Sequence, residues 1–115
     1  MRYRALSGFV ENRKLPRIEV RWPVTIITEK GSVDGEAGNI SVEGAFIMFA
    51  HSIENLSLSK TYRLLINTAE AKIVVMGKLV WSKLDILPGK GFCFVDITEG
   101  DRALLRKAIQ KYSEK

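Results

Sequence analysis

The sequence predicts a mainly β protein: six short antiparallel strands in a barrel or sandwich, followed by one C-terminal helix. Six apolar segments alternate with turn-forming residues along the chain, which is typical of such folds. The spacing of apolar residues then changes from period two to helical over residues 98–115. A chain of 115 residues also suffices for one domain whose core needs neither a disulfide nor a metal.

The first three strands are predicted over residues 20–28, 33–40 and 45–50. Apolar residues occupy alternate positions in the first, which indicates one buried face, and Pro23 indicates an edge or a bulge. The second contains two glycines, which weaken its strand pattern. The third is apolar throughout and bounded by turn residues, so we expect it to be short and buried.

The fourth and fifth strands are predicted over residues 62–68 and 71–82. In the fifth, Gly77 predicts a bulge or a bend. Trp81 has the same parity as three aliphatic residues, which predicts that it packs in the core. The three residues that share this parity are Ile73, Val75 and Leu79.

The sixth strand is predicted over residues 92–97, after a turn at 88–91 that contains proline and two glycines. Cys93 lies between two phenylalanines of this strand, and we expect it to be a small core residue. A lone cysteine provides no disulfide framework, which fits a reducing cytoplasm.

The C-terminal helix has a predicted start at Thr98, because Thr98 and Asp101 have the spacing of a capping box. An apolar stripe follows at helical spacing, and lysines occupy the other side. We therefore expect an amphipathic helix lying on the barrel. The stripe consists of Leu104, Leu105, Ala108, Ile109 and Tyr112.

The formal net charge of +5 is concentrated at the two ends of the chain. Residues 1–21 hold six Lys/Arg and two Glu, a net of +4, whereas residues 22–97 hold seven cations and eight carboxylates, a net of −1. A basic N-terminal segment attracts an anionic partner such as a nucleotide, a nucleic acid or an acidic lipid. No apolar segment has the length of a membrane span or a signal peptide, so we expect neither membrane insertion nor secretion.

An enzymatic function is not expected. His51 is the sole histidine, so it lacks the companions that a histidine-based metal site or a catalytic triad requires. The sequence also contains no P-loop and no dinucleotide-fold glycine pattern. We therefore predict a binding protein without a metal or a cofactor.

Two short motifs suggest the ligand. Arg13 and Arg17 form an R-x-x-x-R pattern, and Pro16 between them disfavours a regular helix. In an extended segment they would lie roughly 13 Å apart, a spacing that suits a large planar anion. Arginine pairs bidentately with phosphate or with the O6 and N7 of guanine. The second motif is N-x-S-x-x-G at residues 39–44, whose polar side chains could bond to a ligand or to the local backbone.

In this order, the two motifs resemble the signature of PilZ domains, which are receptors for cyclic di-GMP. The resemblance covers about residues 12–112 and includes the segments NISVEGAF, LVW and GFCFVD. It implies a six-stranded antiparallel β-barrel with a C-terminal α-helix. It also implies a domain at residues 12–115 preceded by an N-terminal arm at residues 1–11, with cyclic di-GMP as the ligand.

The resemblance further implies a role for each motif residue. Two arginines would grip phosphates and guanine edges, two polar residues would meet a guanine or its ribose-phosphate, and a glycine would allow the turn. These five are Arg13, Arg17, Asn39, Ser41 and Gly44. Lys14 and Arg21 are second candidates for phosphate contact, and Trp81 matches a position that can lie beside a guanine. Glu43 is the awkward member of the second motif, because a carboxylate that points inward would repel a phosphate.

We expect the arm around Arg13 to Arg17 to become ordered when ligand binds, and the protein then to signal to a downstream protein partner. One alternative is a small basic barrel that binds nucleic acid. Such a barrel stacks bases on exposed aromatic side chains, and few of these are expected here because four phenylalanines look buried. They are Phe46, Phe49, Phe92 and Phe94. Another alternative is a PilZ-like adaptor that binds no ligand. The sequence leaves open whether the protein is a monomer or a homodimer.

Overall fold

Six antiparallel strands close into a barrel in the order β1-β2-β3-β6-β5-β4. The computed structural model describes residues 18–50, 56–83 and 89–113. The barrel and the C-terminal helix are confirmed, and a sandwich is not formed. The elements are β1 (Ile18–Thr28), β2 (Gly31–Ser41), β3 (Gly44–Met48), β4 (Thr61–Asn67), β5 (Lys72–Lys83), β6 (Gly89–Asp96) and α1 (Glu99–Ser113).

The interior of the barrel is filled by the apolar residues whose alternation predicted the strands. Alternate side chains of a strand point to opposite faces, so every second residue enters the core. Burial of one such aliphatic side chain contributes about 1.5–3 kcal/mol relative to leaving it in water. Fully buried members are Ile26, Ile40, Ile47, Leu64, Ile66, Ile73, Leu79 and Phe92.

Strand pairing is irregular at several points of the barrel. The register of β5 against β6 shifts between Met76 and Gly77, where the extra residue is Val95 of β6 and not a residue of β5. The predicted irregularity is therefore found beside Gly77, but on the partner strand. A β-carbon on Gly77 would lie 2.6 Å from Leu64 Cδ1 in the core. Pro23 pairs with β2, whereas the pairing of β1 with β4 begins one residue later, at Val24. Proline therefore occupies the part of β1 that is paired on one side.

Two predictions for β6 are wrong. The residues predicted as a turn at 88–91 include the start of the strand, because β6 begins at Gly89 and pairs there with Met48 and Lys83. Cys93 is only partly buried and does not belong to the core. Its neighbour Phe92 points inward, so alternation turns Cys93 outward.

Helix α1 begins as predicted and packs on the barrel through a narrower face than the sequence indicates. The amide of Asp101 donates to Thr98 Oγ1 at 3.1 Å, as expected of an N-cap. Leu105 and Ile109 are buried, but Leu104 is 42% exposed. Tyr112 is half exposed at the edge of this face, where its ring meets Trp22 edge-on at 5.9 Å. None of the helices in the described ranges has the length and apolarity to cross a membrane.

Candidate functional site

One row of paired residues runs across the outside of five strands and brings polar and aromatic groups together. Glu19 of β1 pairs with Asn39 of β2, which pairs with Phe46 of β3. Phe46 pairs in turn with Gly91 of β6, and Gly91 with Trp81 of β5. Directly paired residues share a face of the sheet and lie about 4.5–5.5 Å apart. We call this row and its immediate neighbours the site wall.

The aromatic part of the site wall is a stacked pair. The rings of Phe46 and Trp81 have centroids 5.2 Å apart and planes inclined by 17°. They lie over the backbone of β6, where a β-carbon on Gly91 would overlap the Trp81 indole and one on Gly89 would overlap the Phe46 ring. These glycines therefore mark a strand covered by aromatic rings, which explains why they resemble a turn in the sequence.

The position of Trp81 corrects its predicted core packing. Leu79 pairs with Phe92 inside the barrel, but the register shifts before Trp81 pairs with Gly91. The extra residue in this bulge changes the parity of the strand, so Trp81 is partly exposed and lies outside the core cluster. Phe46, which we expected to be buried, is also partly exposed on this wall. Phe49 and Phe92 are buried as expected, and Phe94 is partly buried against the core.

Asn39 carries a buried acceptor atom. Its Oδ1 is shielded from solvent and accepts no hydrogen bond from any residue that the structure describes. An unsatisfied buried acceptor costs about 1–3 kcal/mol, and a suitable donor would remove that cost. In the orientation that the structure gives this amide, the buried atom is the acceptor oxygen, which a ligand N–H group could satisfy. Asn39 thus fits a ligand that offers N–H groups.

Ser41 lies elsewhere than expected. It is fully buried rather than on the barrel surface. The amide of Glu43 donates to Ser41 Oγ at 3.1 Å, so the hydroxyl stabilises the turn between β2 and β3. The carbonyl of Glu43 accepts from the Phe94 amide at 2.8 Å and ties this turn to β6. Ser41 thus holds the turn that follows Asn39 by two residues.

Gly44 lies where β3 approaches β6 closely. A β-carbon at this position would overlap the carbonyl oxygen of Phe92, because Gly44 pairs with Cys93 at the start of β3. Its φ is not among the positive values, so Gly44 has a backbone conformation that other residues also adopt. Glu43, beside it, has an exposed side chain that points to solvent.

Arg21 lies on the outside of β1, close to the site wall. Its Nε is 3.3 Å from Glu36 Oε1, and its side chain is 84% exposed. Both residues line a groove of about 620 Å³ that runs over Gly35 to Met48 and Phe49. This volume is in the usual range for small-molecule sites. Exposed ion pairs contribute little, so Arg21 can exchange its partner at small cost.

The arginine motif lies outside the described residues. This applies to Arg13, Lys14 and Arg17, and also to the N-terminal arm. The described part nevertheless fixes where the motif is attached: Ile18 pairs with Ile40, one residue from Asn39.

Sequence reasoning missed three contributors to this wall: Phe46, Glu36 and the glycine pair at 89 and 91. The glycine spacing was the available signal, because alternate glycines leave one face of a strand open to large side chains. Within the described ranges, no group of three or more His, Cys, Asp or Glu could hold a metal ion.

Comparisons with known proteins agree with this architecture. A family model for the PilZ domain matches residues 11–111. The chain is similar to the Bacillus subtilis inhibitor of motility MotI, with 22% identity and a TM-score of 0.76 over 90% of this chain and 52% of that one. It is also similar to YcgR from Escherichia coli, solved in complex with c-di-GMP, with 14% identity and a TM-score of 0.75 over 89% and 46%.

A third similar structure is the K. pneumonia MrkH–c-di-GMP complex, with 15% identity and a TM-score of 0.74 over 89% of this chain and 52% of that one. At such identities, these likenesses show the fold. The chain spans about half the length of these three proteins. No curated protein sequence matches it.

Proposed function

The chain belongs to the PilZ domain family, and on this premise we propose that it is a receptor that binds cyclic di-GMP without catalysis and signals to a partner protein. One observation carries the proposal. The site wall places Asn39 beside the Phe46–Trp81 stack, and the pairing of Ile18 with Ile40 attaches the arginine motif to the same end of β2.

The attachment at Ile18 supports a role for both arginines. Consecutive Cα atoms are about 3.8 Å apart, so Arg17 starts within one bond of the strand that pairs with β2. Arg13 is four residues further away, at most about 14 Å when extended. Two guanidinium groups at this spacing can bind the two phosphates of a cyclic dinucleotide, or one phosphate and one guanine edge. Lys14 would add a third cation.

The chemistry of Asn39 supports a guanine in particular. Its buried Oδ1 requires a donor, and the Watson–Crick edge of guanine carries N1–H and N2–H₂ donors. Adenine carries no donor at N1. In this proposal Asn39 contacts the base, while Ser41 and Gly44 hold the turn that presents it.

The aromatic pair supports a stacked base. A guanine beside Trp81 would extend the existing stack with Phe46, and stacking on an aromatic side chain contributes about 1–3 kcal/mol per base. Arg21 would exchange Glu36 for a ligand phosphate on the neighbouring part of the wall.

In this proposal the signal is the ordering of residues 13–17 when the ligand binds. Residues 13–17 carry three cations, which repel one another. Ligand phosphates neutralise them, and the segment then becomes ordered against Asn39 and the adjoining turn. The ordered segment changes the surface that a partner protein meets.

Calorimetric titration of the full chain with cyclic di-GMP tests the proposal. We expect Arg13→Ala and Arg17→Ala each to weaken binding by about 100-fold, because each removes charge-assisted, bidentate contacts. Lys30→Ala is the matched control: it removes an exposed cation from the β1–β2 turn and should leave the affinity unchanged. Circular dichroism should show a folded barrel in all three variants. Wild-type affinity in both arginine variants would refute this site.

The same titration separates the other functions when GTP and a short single-stranded oligonucleotide are included at two salt concentrations. Preference for cyclic di-GMP supports the receptor. Oligonucleotide binding that weakens steeply with salt would instead indicate a nucleic-acid-binding barrel. Binding of none of the three would indicate an adaptor that acts through protein contacts alone.

A further inference from the structure

The outside of the barrel carries a second patch, formed by β1, β4 and β5, which we call the aliphatic patch. It consists of Ile27, Leu65, Val74 and Met76. Ile27 is 37% exposed and Val74 is 41% exposed, while the other two are partly exposed. We propose that this patch is a docking surface for an acidic, amphipathic helix of a partner protein.

Strand pairing makes the four residues contiguous. Leu65 of β4 pairs with Val74 of β5 on one side, and with Thr25 of β1 on the other. In the next outer row, Arg63 pairs with Met76 on one side and with Ile27 on the other. Direct and diagonal neighbours on one face lie within reach of one another, so the aliphatic groups form one surface around Arg63.

The charges around the aliphatic patch are mostly positive and uncompensated. Lys72 and Lys78 flank it on β5, Arg63 lies within it, and all three side chains are exposed. No carboxylate of the described ranges forms an ion pair with any of them. Asp96, which pairs with Met76, is the one carboxylate that the register places directly beside the patch. Charge complementarity therefore favours an acidic occupant.

Strand pairing in the barrel limits how a partner can bind to the aliphatic patch. Ile27, Leu65 and Met76 are each paired on both sides, so a partner cannot add a strand at these positions. It must dock through side chains. From Lys72 to Lys78 the strand spans about 20 Å, which matches a helix of about 13 residues. A helix with apolar residues at positions i, i+3, i+4 and i+7, flanked by Glu or Asp, presents the complementary pattern.

The chain's own N-terminal segment is a poor occupant on grounds of charge. Residues 1–17 hold five Lys/Arg and one Glu, so they would meet the three cations of this face with like charge. An anionic membrane has the right charge. However, the aliphatic residues lie flat on strands and include no aromatic side chain of the kind enriched at membrane interfaces.

The aliphatic patch lies across the barrel from the site wall. In the closed ring of six strands, β4 is three positions from β3, at the centre of each surface. A partner on the patch would thus leave room for the nucleotide. The inference rests on the proposed function only in that a receptor needs an output surface, and its test uses the nucleotide-free chain.

The test is an NMR titration of the full ¹⁵N-labelled chain with a synthetic helical peptide of about 14 residues. The peptide carries Leu at the four apolar positions and Glu around them, and the control peptide carries Lys in place of Glu. We expect the acidic peptide to bind about tenfold more tightly, with shifts confined to the outer residues of β1, β4 and β5 that form the patch. Equal binding of both peptides, or shifts centred elsewhere, would overturn the proposal. Stronger binding to phosphatidylglycerol vesicles than to the acidic peptide would do so too.

Two variants and two controls complete the test. Val74→Glu and Lys78→Glu should each weaken binding of the acidic peptide by about tenfold, because each places a carboxylate on the aliphatic patch. Val80→Glu changes a valine of equal exposure on the same strand, and Lys107→Glu changes an exposed lysine of α1; neither should alter binding. Equal effects in variants and controls would refute the patch. A chain that binds cyclic di-GMP but not the peptide would refute this surface alone, and the reverse result would refute the nucleotide proposal alone.

Discussion

The site wall and the aliphatic patch differ on the outside although the same kind of interior supports both. Behind each, alternate strand residues fill one aliphatic core. The patch follows this alternation regularly, from Lys72 through Val74 and Met76 to Lys78. The site wall interrupts it, with a bulge before Trp81 and glycines under two aromatic rings.

The difference shows which positions of a closed barrel determine what it binds. The core constrains the inward positions, so function is determined by the outward positions and by the irregularities that aim them. At the site wall the irregularities place aromatic rings and a buried acceptor in one row. At the aliphatic patch β5 keeps a regular alternation, which leaves aliphatic side chains on its outer face.

The largest effect should come from Gly44→Ala. This variant tests whether Gly44 of the second motif serves the packing of the barrel or the binding of the ligand. The added methyl group overlaps the Phe92 carbonyl, so we expect the free energy of unfolding to fall by about 3 kcal/mol in chemical denaturation. Gly100→Ala is the control, because open space surrounds Gly100 in α1 and alanine should stabilise the helix by about 0.5–1 kcal/mol. Unchanged stability of Gly44→Ala with lost nucleotide binding would instead assign Gly44 to the ligand.

Asn39→Ala should weaken cyclic di-GMP binding by about tenfold without lowering the stability of the barrel. The reason is that the asparagine oxygen accepts no hydrogen bond within the described part of the chain, so its removal should cost the fold little and cost the complex a hydrogen bond. Calorimetry and thermal unfolding of the same variant measure the two quantities. Asn67→Ala is the control, because it removes an asparagine from β4, on the other side of the barrel. It should leave cyclic di-GMP binding unchanged. A destabilised Asn39→Ala that binds normally would contradict the assignment.

Glu36→Gln should strengthen cyclic di-GMP binding by about threefold, because it releases Arg21 from its exposed ion pair. The gain should shrink at high salt, where the pair is already screened. Asp34→Asn removes the neighbouring outward carboxylate of β2, which accepts from Thr25 rather than from an arginine, and should have no such effect. Equal gains in the two variants would mean that the loss of any negative charge from β2, and not the release of Arg21, strengthens cyclic di-GMP binding.

The smallest effect should come from Glu43→Gly. Its carboxylate points to solvent, so we expect the nucleotide affinity to stay within about twofold of the wild-type value in calorimetry. A clear gain in affinity would show that Glu43 turns toward the ligand when the complex forms.

The strands and the helix could be predicted because burial imposes a periodicity on the sequence. Val20 to Ile26 and the Thr98 cap are found where that periodicity places them. Trp81 could not be placed correctly, since one extra residue in a bulge reverses parity and leaves no mark on residue type. Gly89 and Gly91 looked like a turn because the rings that cover them belong to the neighbouring strands β3 and β5, and the sequence does not show that pairing.

The second motif shows the same limit within six residues. The sequence treats Asn39, Ser41 and Gly44 as one polar turn, but in the structure Ser41 Oγ accepts from the Glu43 amide and Gly44 packs against the Phe92 carbonyl. Chain neighbours can therefore differ in role when strand pairing gives them different surroundings.

The most direct test of the central claim is an NMR titration of the full ¹⁵N-labelled chain with cyclic di-GMP. We expect the largest shifts at Asn39, Phe46 and Trp81, including the indole N–H, and none above background at Leu65 and Val74. Shifts centred on Leu65 and Val74, or no shifts at saturating nucleotide, would contradict it.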